Sequence, residues 1–414
     1  MKILHTSDWH LGRSFHGVGM LADQRRFVDQ LVETVQRDGV RAVLISGDVY
    51  DRALPSVEVV QLFSDALDRL TAAGADVIFS SGNHDSPIRL GFADRVLARG
   101  GVHVRTGLDA LTDPVRLRDP DGTDVAVYAV PYLEPRLVAE RLGVERPSHP
   151  AVMTAALRIV RRHLAGLAEA AATEAGSPDD TADDATADGA LFAVRAASPV
   201  RSILMCHAFV AGAEESDSER ELASGGLGQI PVPVFDGFDY VALGHLHGRQ
   251  KLRENVRYSG SPLPYSFSEA RQAKGGWLLD VRRDGVRTVD PVSVAVTRPL
   301  VTLRGTLDDL LADPAHAAAE DAWCQVTLTD ATRPMMAMDR LRERFPHTLV
   351  LQFDPQGAAP RIRSTYRSRV ADAADDLEVT AGFLDHVRSR PPSDAEREAL
   401  AAALDAVSLA EAAR

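Results

Sequence analysis

The chain of 414 residues contains only two cysteines and three lysines, and both scarcities exclude classes of protein. Cys206 and Cys324 lie far apart, so the sequence offers no disulfide framework and suits a reducing compartment. None of the lysines ends a phosphate-binding loop of the form G-x-x-x-x-G-K-[ST]. The chain is therefore not itself a P-loop ATPase.

Long apolar runs and an excess of basic charge are also missing. No apolar run approaches the roughly 20 residues that a membrane span needs, and the N-terminus has the pattern of a strand and not of a secretion signal. We therefore expect a cytoplasmic protein. The net charge of -13 argues against a simple basic nucleic-acid binder, because such proteins usually carry a basic footprint.

Part of the negative charge is concentrated in one segment, residues 173–190. This stretch, TEAGSPDDTADDATADGA, carries six acidic residues and no basic one. Its small and polar composition cannot bury a core. We expect an insertion that is disordered and lies at the surface.

Apolar strand patterns alternate with amphipathic helical patterns in the first hundred residues. Strands are predicted at 2–6, 42–45, 77–79 and 102–104, with helices at 21–37, 57–73 and 88–99. This alternation is typical of right-handed β-α-β units and a largely parallel sheet.

The following part of the chain predicts a second sheet. A strand at 125–130 precedes a long helix at 151–174, and strand patterns resume at 202–205, 240–243, 256–258 and 277–281 with hairpin-like spacing. We expect a partly antiparallel sheet packed on the first one. The predicted fold class is thus an α/β (α+β) sandwich of two mixed sheets flanked by helices.

The pattern of predicted strands and helices changes near Thr297, and we place a domain boundary there. The predicted domains are a main domain over 1–290, a small α+β domain over 297–360 and a C-terminal helical region over 361–414. The last region starts with an arginine-rich stretch at 361–369 and ends in a helix that Ser393 would cap.

Polar clusters end three of the early strands and two of the later ones. The motifs are TSDWH, SGDVYD and SSGNHD, then LMCHAF and LGHLH. Ligands of open α/β sheets gather outside the carboxyl ends of the strands, so these tips should converge. In an extended chain, residues two apart point to one side, which applies to Asp8 with His10 and to His245 with His247. The converging candidates are Asp8, His10, Asp48, Asp51, Asn83, His84, Asp85, His207, His245 and His247.

Carboxylate, amide and imidazole ligands suit manganese, iron or zinc. The candidates are too many for one ion that also binds water and substrate, whereas two ions about 3.5–4 Å apart that share a carboxylate would use them well. Asp48 is the predicted bridge, because it comes from the central tip. Each residue alone would more often be a turn, cap or core residue, and we assign that role to the other histidines, such as His5.

The motifs D-x-H, G-D-x-x-D, G-N-H-D, a single histidine after a strand and G-H-x-H, in this order, resemble those of the calcineurin-like metallophosphoesterase superfamily. Within it, the stretches ILHTSDWHLGRSF, SGNHDS, ALGHLH and RYSGSPLPYSFSE resemble the D subunits of SbcCD-type DNA-repair nucleases. The resemblance is specific through about residue 285, fits the small domain by layout and is weak in the last fifty residues.

The resemblance implies two Mn²⁺ ions, one bound by Asp8, His10, Asp48 and His247 and the other by Asp48, Asn83, His207 and His245. It implies His84 as the catalytic histidine. Asp51 is the residue expected to orient it, with Asp85 as the weaker candidate for that role.

The implied function is that of a manganese-dependent DNA phosphodiesterase in recombination and repair. Such an enzyme digests double-stranded ends 3′ to 5′ and opens hairpins. The small domain would cap DNA, the C-terminal region would bind an SbcC-type coiled-coil ATPase, and the chain would form a homodimer within a heterotetramer. The alternatives are a phosphodiesterase or phosphatase for small substrates and a non-catalytic tether that holds DNA ends for the ATPase.

Overall fold

The computed structural model describes residues 1–174, 200–219, 228–355, 376–388 and 392–412. Nearly all of the predicted acidic insertion at 173–190 and all of the arginine-rich stretch at 361–369 lie outside these ranges. The chain divides into two compact units, one formed by 1–328 with 334–353 and the other by 329–333 with 354–414. Across the described residues, no helix has the length and apolar character that a bilayer crossing would need.

The strands of the described residues carry the framework and are numbered in chain order. They are β1 (Lys2–Thr6), β2 (Ser14–Phe15), β3 (Val18–Gly19), β4 (Ala42–Ser46), β5 (Asp76–Ser80), β6 (Val102–Arg105), β7 (Val115–Arg118), β8 (Asp124–Val130), β9 (Val200–His207), β10 (Tyr240–Gly244), β11 (Gln250–Arg253), β12 (Val256–Tyr258), β13 (Gly275–Arg282), β14 (Gly285–Ser293), β15 (Leu300–Gly305), β16 (Trp323–Leu328) and β17 (Thr348–Phe353).

The α-helices of the described residues connect and cover these strands. They are α1 (Leu21–Asp38), α2 (Val57–Ala72), α3 (Pro87–Leu90), α4 (Asp94–Leu97), α5 (Pro135–Val138), α6 (His149–Glu174), α7 (Leu307–Ala312), α8 (Ala337–Arg344), α9 (Asp376–Arg388) and α10 (Asp394–Ala412).

The first sheet has the strand order β14-β13-β1-β4-β5-β6. Strands β1, β4, β5 and β6 run parallel to one another, whereas β13 pairs antiparallel with β1 and continues into the β13-β14 hairpin. The parallel part follows from the β-α-β pattern of the first hundred residues, as predicted. The carboxyl ends of β1, β4 and β5 therefore lie side by side at one edge.

The second sheet has the order β11-β12-β10-β9-β8-β7 and differs in part from the prediction. The sheet is partly antiparallel, as predicted, because the edge strands β7 and β11 pair antiparallel with their neighbours. The hairpin-like pairing of the predicted strands was wrong, because β8, β9, β10 and β12 are all parallel. The strand β13 returns to the first sheet. The sequence pattern hid the edge strand β11 because its residues Lys251 and Arg253 are exposed and leave no apolar run.

The two sheets pack face to face and helices cover both outer faces. Consecutive residues of β1 show the layering, since Ile3 lies in the core between the sheets and Leu4 packs on the side of α1 and α2. On the far side, α6 covers the second sheet through Val152, Ala156 and Val160. Burial on both faces explains why these strands are apolar without interruption. The predicted α/β sandwich of two mixed sheets flanked by helices is confirmed.

The helix predicted at 88–99 is broken in the structure. It is replaced by α3, α4 and a 3₁₀ turn at Ala98–Gly100, because Ala93 adopts a left-handed conformation with a φ of 61° between the two short helices. Ile88, Phe92 and Val96, spaced four residues apart, suggested a buried face. They are instead exposed, by 88%, 79% and 66%.

The small α+β region folds as a parallel sheet of order β15-β16-β17 with α7 and α8 in the connections. Its core contains Leu303, Leu310 and Leu341. In the C-terminal unit, α9 and α10 are in contact. A capping box starts α10, since the Ser393 amide donates to Glu396 (2.8 Å) and the Glu396 amide donates back to Ser393 Oγ (3.4 Å). The predicted cap at Ser393 is confirmed.

A buried hydrogen bond between the sheets gives a stability prediction. Tyr240 Oη donates to His5 Nδ1 (3.0 Å), and His5 Nε2 donates to the Leu243 carbonyl (3.2 Å). Tyr240→Phe leaves a buried ring nitrogen without its partner and should lower the free energy of unfolding by about 1–3 kcal/mol, measured by urea denaturation. The control Tyr132→Phe loses only a partly buried contact to Glu134 (3.4 Å) and should change stability by less than about 0.5 kcal/mol. Equal losses in both variants would contradict this account of His5.

Candidate metal centre

The loops after β1 and β4 are joined by main-chain hydrogen bonds at the edge of the first sheet. The Asp8 amide donates to the Gly47 carbonyl (3.1 Å), and the His10 amide donates to the Asp48 carbonyl (3.0 Å). The Asp51 amide then donates back to the Leu11 carbonyl (3.1 Å). The first two polar motifs are thereby held together as one rigid unit.

The side chains of these motifs do not reach the site by the geometry predicted from the sequence. The strand β1 ends at Thr6, and Asp8 and His10 have φ values of 53° and 43°, so the chain is not extended there. Asp48 (50°) and His245 (108°) also have positive φ values. Left-handed conformations of non-glycine residues are costly and cluster at functional sites. Here they turn all four side chains toward the same edge.

Two glycines permit the close approach of the motifs. A Cβ atom on Gly82 would lie 2.1 Å from Asp48 Oδ1, and one on Gly244 would lie 1.9 Å from the Ser46 carbonyl oxygen. Both distances are far inside van der Waals contact. The loop after β5 and the end of β10 can therefore lie against the loop after β4 only with glycine at these positions.

Six of the predicted residues bring potential ligand atoms together in three overlapping groups. Within each group the atoms lie within 4.8 Å of one another. The groups are Asp8 with His10 and His247, His10 with Asp48 and His84, and Asp8 with Asp48 and His207.

Asp48 lies at the centre of the cluster. Its Oδ1 accepts the His84 amide (2.9 Å), and its Oδ2 lies 3.6 Å from His10 Nε2 and 3.4 Å from His207 Nε2. The carboxylate is only 2% exposed. One oxygen therefore faces two imidazoles from opposite loops, which is the position that a bridging ligand of two cations requires.

Two pairs of lone-pair donors face each other across the cluster. His207 Nδ1 donates to the Ser46 carbonyl (3.0 Å), so in the neutral ring Nε2 carries a lone pair, and this atom lies 2.9 Å from Asn83 Oδ1. His10 Nε2 lies 3.1 Å from His247 Nε2. Such pairs repel unless a proton or a metal ion lies between them. The donor set thus fits divalent cations of the manganese, iron or zinc class.

The electrostatics of the cluster also favour positive charge. Burial disfavours an imidazolium at His207, yet the Asp48 and Asp8 carboxylates outweigh it and raise the pKa of His207 to about 9. Burial raises the pKa of Asp8, whereas the surrounding histidines hold the pKa of Asp48 well below its usual range. Burial lowers the pKa of His10 to about 3, because the opposing effect of the Asp51 carboxylate is smaller. The cluster therefore combines an ionised carboxylate at Asp48 with a neutral imidazole at His10.

The remaining predicted ligands also reach the site. Asn83 contacts His207 as described, and the His245 ring lies 5.2 Å from the His207 ring, centroid to centroid. His245 is not a member of the three groups above. It does line the same cavity, together with Asn83 and His247.

His84 is partly exposed, and a main-chain carbonyl fixes the orientation of its ring. Its Nδ1 donates to the Asp51 main-chain carbonyl (2.9 Å). This bond leaves Nε2 free to face the cavity that His84 helps to line.

The predicted orienting residues act differently from what the motifs suggested. The Asp51 carboxylate faces His10 Nδ1 (3.5 Å) and Arg13 Nη1 (3.7 Å), whereas only its main-chain carbonyl contacts His84. The Asp85 carboxylate accepts the amides of Val49 (3.1 Å), Tyr50 (2.9 Å) and Gly82 (2.9 Å). Asp85 thereby fixes the Asp48 loop to the Asn83 loop.

A cavity of about 510 Å³ opens over the cluster and is lined almost entirely by polar side chains. Arg13 and Arg52 line it. Arg13 stacks over the Tyr265 ring at 5.1 Å. Their positive charges give the entrance an affinity for anions.

The sequence motifs missed a second group of residues around His247. Ser218 and Glu219 line the cavity, and Glu269 and Lys274 lie buried behind it. The loop that carries Ser218 has no recognisable motif. The available signals were Glu269, which ends the stretch RYSGSPLPYSFSE, and Lys274, since lysine is so scarce in this chain.

Family models match two parts of the chain. The model described as calcineurin-like phosphoesterase matches residues 1–127, and the SbcD C-terminal model, described as type 5 capsule protein repressor C-terminal domain, matches residues 296–388. The chain thus carries a calcineurin-like metallophosphoesterase domain and a C-terminal region of the SbcD type. It is a metal-dependent phosphoester hydrolase.

A solved structure with similarity to this phosphoesterase is a dimetal phosphatase from Danio rerio. The identity is 12%, the match covers 71% of this chain and 99% of the other, and the TM-score is 0.37.

The role of Asp85 can be tested by an isosteric change. Asp85→Asn replaces one acceptor oxygen by an N–H group that faces main-chain amides, and should lower the free energy of unfolding by about 1–3 kcal/mol and weaken divalent-ion binding. Chemical denaturation and calorimetric titration with Mn²⁺ measure the two effects. The control Asp109→Asn, at a side chain that is 99% exposed, should change neither. Wild-type behaviour of Asp85→Asn would contradict its role in joining the loops.

Proposed function

We propose that the chain is a manganese-dependent DNA phosphodiesterase, the nuclease subunit of a cytoplasmic SbcCD-like complex that acts in recombination and repair. The observation that carries the proposal is the Asp48 carboxylate between imidazoles of opposite loops, below a polar cavity of about 510 Å³. An SbcD-type C-terminal match favours DNA over a small phosphoester as the substrate.

The proposed ligands divide into two sets that share Asp48. The first set is Asp8, His10, Asp48 and His247, and the second is Asp48, Asn83, His207 and His245. The 3.1 Å distance between the Nε2 atoms of His10 and His247 supports the first set, and the 2.9 Å distance between His207 Nε2 and Asn83 Oδ1 supports the second.

When bound, two divalent ions neutralise the phosphodiester and lower the pKa of a coordinated water toward neutrality. The residues of the chain then orient the substrate and handle the proton. His84, fixed through Nδ1 by the Asp51 carbonyl, presents Nε2 to the cavity and would stabilise or protonate the departing sugar oxygen. Arg13 and Arg52 would hold the flanking phosphates of the DNA strand.

We propose that Asp51 positions two histidines at once. Its main-chain carbonyl orients the His84 ring. Its carboxylate lies 3.5 Å from His10 Nδ1 and keeps the ring hydrogen of His10 on this nitrogen. His10 Nε2 is then free to bind an ion, as outer-sphere carboxylates of metal-binding histidines usually ensure.

The same resemblance gives the proposed domains and partners. The main domain spans 1–290, the small domain over 297–360 would cap the DNA, and the region over 361–414 would bind a coiled-coil ATPase of the SbcC type. ATP would be bound by that partner, since the chain has no P-loop lysine.

A homodimer within a heterotetramer is supported by apolar side chains in two short stretches, 54–60 and 88–96. Leu54, Val57, Ile88, Phe92 and Val96 are all more than 60% exposed, which is unusual for a monomeric surface. Ile88→Glu combined with Phe92→Glu should convert a dimer into a monomer in sedimentation-velocity experiments. A wild-type monomer at micromolar concentration would contradict the dimer.

The substrate class is tested with two DNA substrates and one small phosphodiester under Mn²⁺. A strand-labelled DNA hairpin and blunt duplex should be opened and shortened from the 3′ ends, while bis(p-nitrophenyl) phosphate should be hydrolysed much more slowly. Faster hydrolysis of the small diester would indicate a small-substrate phosphodiesterase. Binding of DNA without turnover in any divalent metal would indicate a tether.

The bridging role of Asp48 gives a variant prediction. Asp48→Ala should abolish cleavage, because both ion sites lose a ligand, and should reduce Mn²⁺ binding measured by calorimetry at both sites. The control Asp113→Ala removes an exposed carboxylate and should leave both properties unchanged. Retention of two bound ions by Asp48→Ala would contradict the shared carboxylate.

The role of His84 separates binding from chemistry. His84→Ala should bind Mn²⁺ as the wild type does but cleave about 10²- to 10⁴-fold more slowly, because the departing oxygen loses its proton donor. Single-turnover rates with saturating metal measure this. His316→Ala, a histidine on the small α+β region, is the control. Normal turnover by His84→Ala would refute the role.

A further inference from the structure

A buried ion pair lies behind His247, on the opposite side of this residue from the other ligands. We propose that Glu269 and Lys274 are positioning residues that fix the orientation and tautomer of His247 for metal binding. This inference rests on the proposed metal site. Neither residue is among the predicted metal ligands or catalytic residues, although Glu269 ends the stretch RYSGSPLPYSFSE, and both follow the G-H-x-H motif by more than twenty positions.

A directed chain of hydrogen bonds connects the His247 ring to Glu269. Ser218 Oγ lies 2.8 Å from His247 Nδ1 and 2.6 Å from Glu269 Oε1. Because a carboxylate only accepts, Ser218 donates to Glu269 and must accept from His247 Nδ1–H. Glu269 Oε1 also lies 3.4 Å from Nδ1 directly. The hydrogen is thus held on Nδ1, and the Nε2 lone pair faces His10.

Lys274 fixes the main chain of the same histidine. Its ammonium group donates to the His247 carbonyl (2.9 Å), to Ser261 Oγ (3.1 Å) and to the carboxylate of Glu269. The pair therefore holds His247 at two points. Lys274 binds its carbonyl, and Glu269 binds its ring through Ser218. A side chain held at both points has little freedom to rotate away from the cluster.

The burial of the pair argues that it does more than stabilise the fold. Glu269 is 1% exposed and Lys274 is 5% exposed. Removing two charges from water costs several kcal/mol, so a buried ion pair often stabilises a protein no better than well-packed apolar residues would. The same charges do, however, give a fixed acceptor for His247 Nδ1. Outer-sphere partners of this kind typically change metal affinity by about 10- to 100-fold when they are removed.

The decisive variant is Glu269→Gln in the full-length chain, compared with Glu254→Gln as the matched control. Glu254 forms an exposed ion pair with Lys251, so the control makes the same change of charge away from the site. Calorimetric titration with Mn²⁺ should show that Glu269→Gln binds one of two ions about 10- to 100-fold more weakly, while the control keeps wild-type affinities. The other ion, bound without His247, should be retained with an affinity close to that of the wild type.

Further variants separate weaker metal binding from a loss of folding. Lys274→Met alone leaves a buried carboxylate unpaired and should be the least stable, whereas Glu269→Gln/Lys274→Met has no unpaired charge and should refold. The double variant should still bind one ion weakly. Ser218→Ala, which removes only the linking hydroxyl group, should weaken the same ion by a smaller factor.

Metal affinity decides the inference independently of DNA cleavage. Wild-type Mn²⁺ affinities at both sites in folded Glu269→Gln, or in the folded double variant, would overturn it. So would an equal weakening of both ions, since that indicates only a general disturbance of the fold. If the wild type binds two ions but cleaves no DNA, the proposed nuclease function fails, whereas the titrations still decide the role of Glu269 and Lys274.

Discussion

The approach of two imidazoles to one carboxylate oxygen is the contact on which the rest of the site depends. Asp48 Oδ2 can face both His10 and His207 only if the tips of the two sheets meet. Gly82 and Gly244 make that meeting sterically possible, and Asp85 holds the Asp48 and Asn83 loops together by their amides. The sandwich fold thus concentrates buried oxygen and nitrogen atoms whose mutual repulsion is relieved by cations.

The assembly is costly for the protein without metal. Asp8, His10, Asp48 and His245 adopt left-handed conformations, and the Nε2 atoms of His10 and His247 lie only 3.1 Å apart. Such strain persists only where surrounding structure determines it. The joined loops after β1 and β4, and the grip of Lys274 on the His247 carbonyl, supply that support. These contacts therefore hold the ligand side chains in place before an ion binds.

The sequence predicted the framework and the membership of the site better than it predicted the geometry. Apolar strands buried on both faces and the β-α-β alternation gave the parallel core, because both depend on local pattern. Exposed edge strands such as β11 lacked that pattern. Ile88 and Phe92 have the spacing of a buried face but lie on the surface, which only tertiary contacts reveal. Asp8 and His10 do converge, through left-handed turns and not through the extended chain that was predicted. The roles of Ser218 and Glu269 depend on contacts between distant segments, which the sequence pattern does not show.

The most direct test of the central claim is a crystal of the protein soaked in Mn²⁺, with anomalous diffraction recorded at the manganese edge. We expect two peaks about 3.5–4 Å apart on either side of the Asp48 carboxylate, with His10 and His247 at one peak and His207 at the other. A single peak, or peaks that do not contact Asp48, would contradict it.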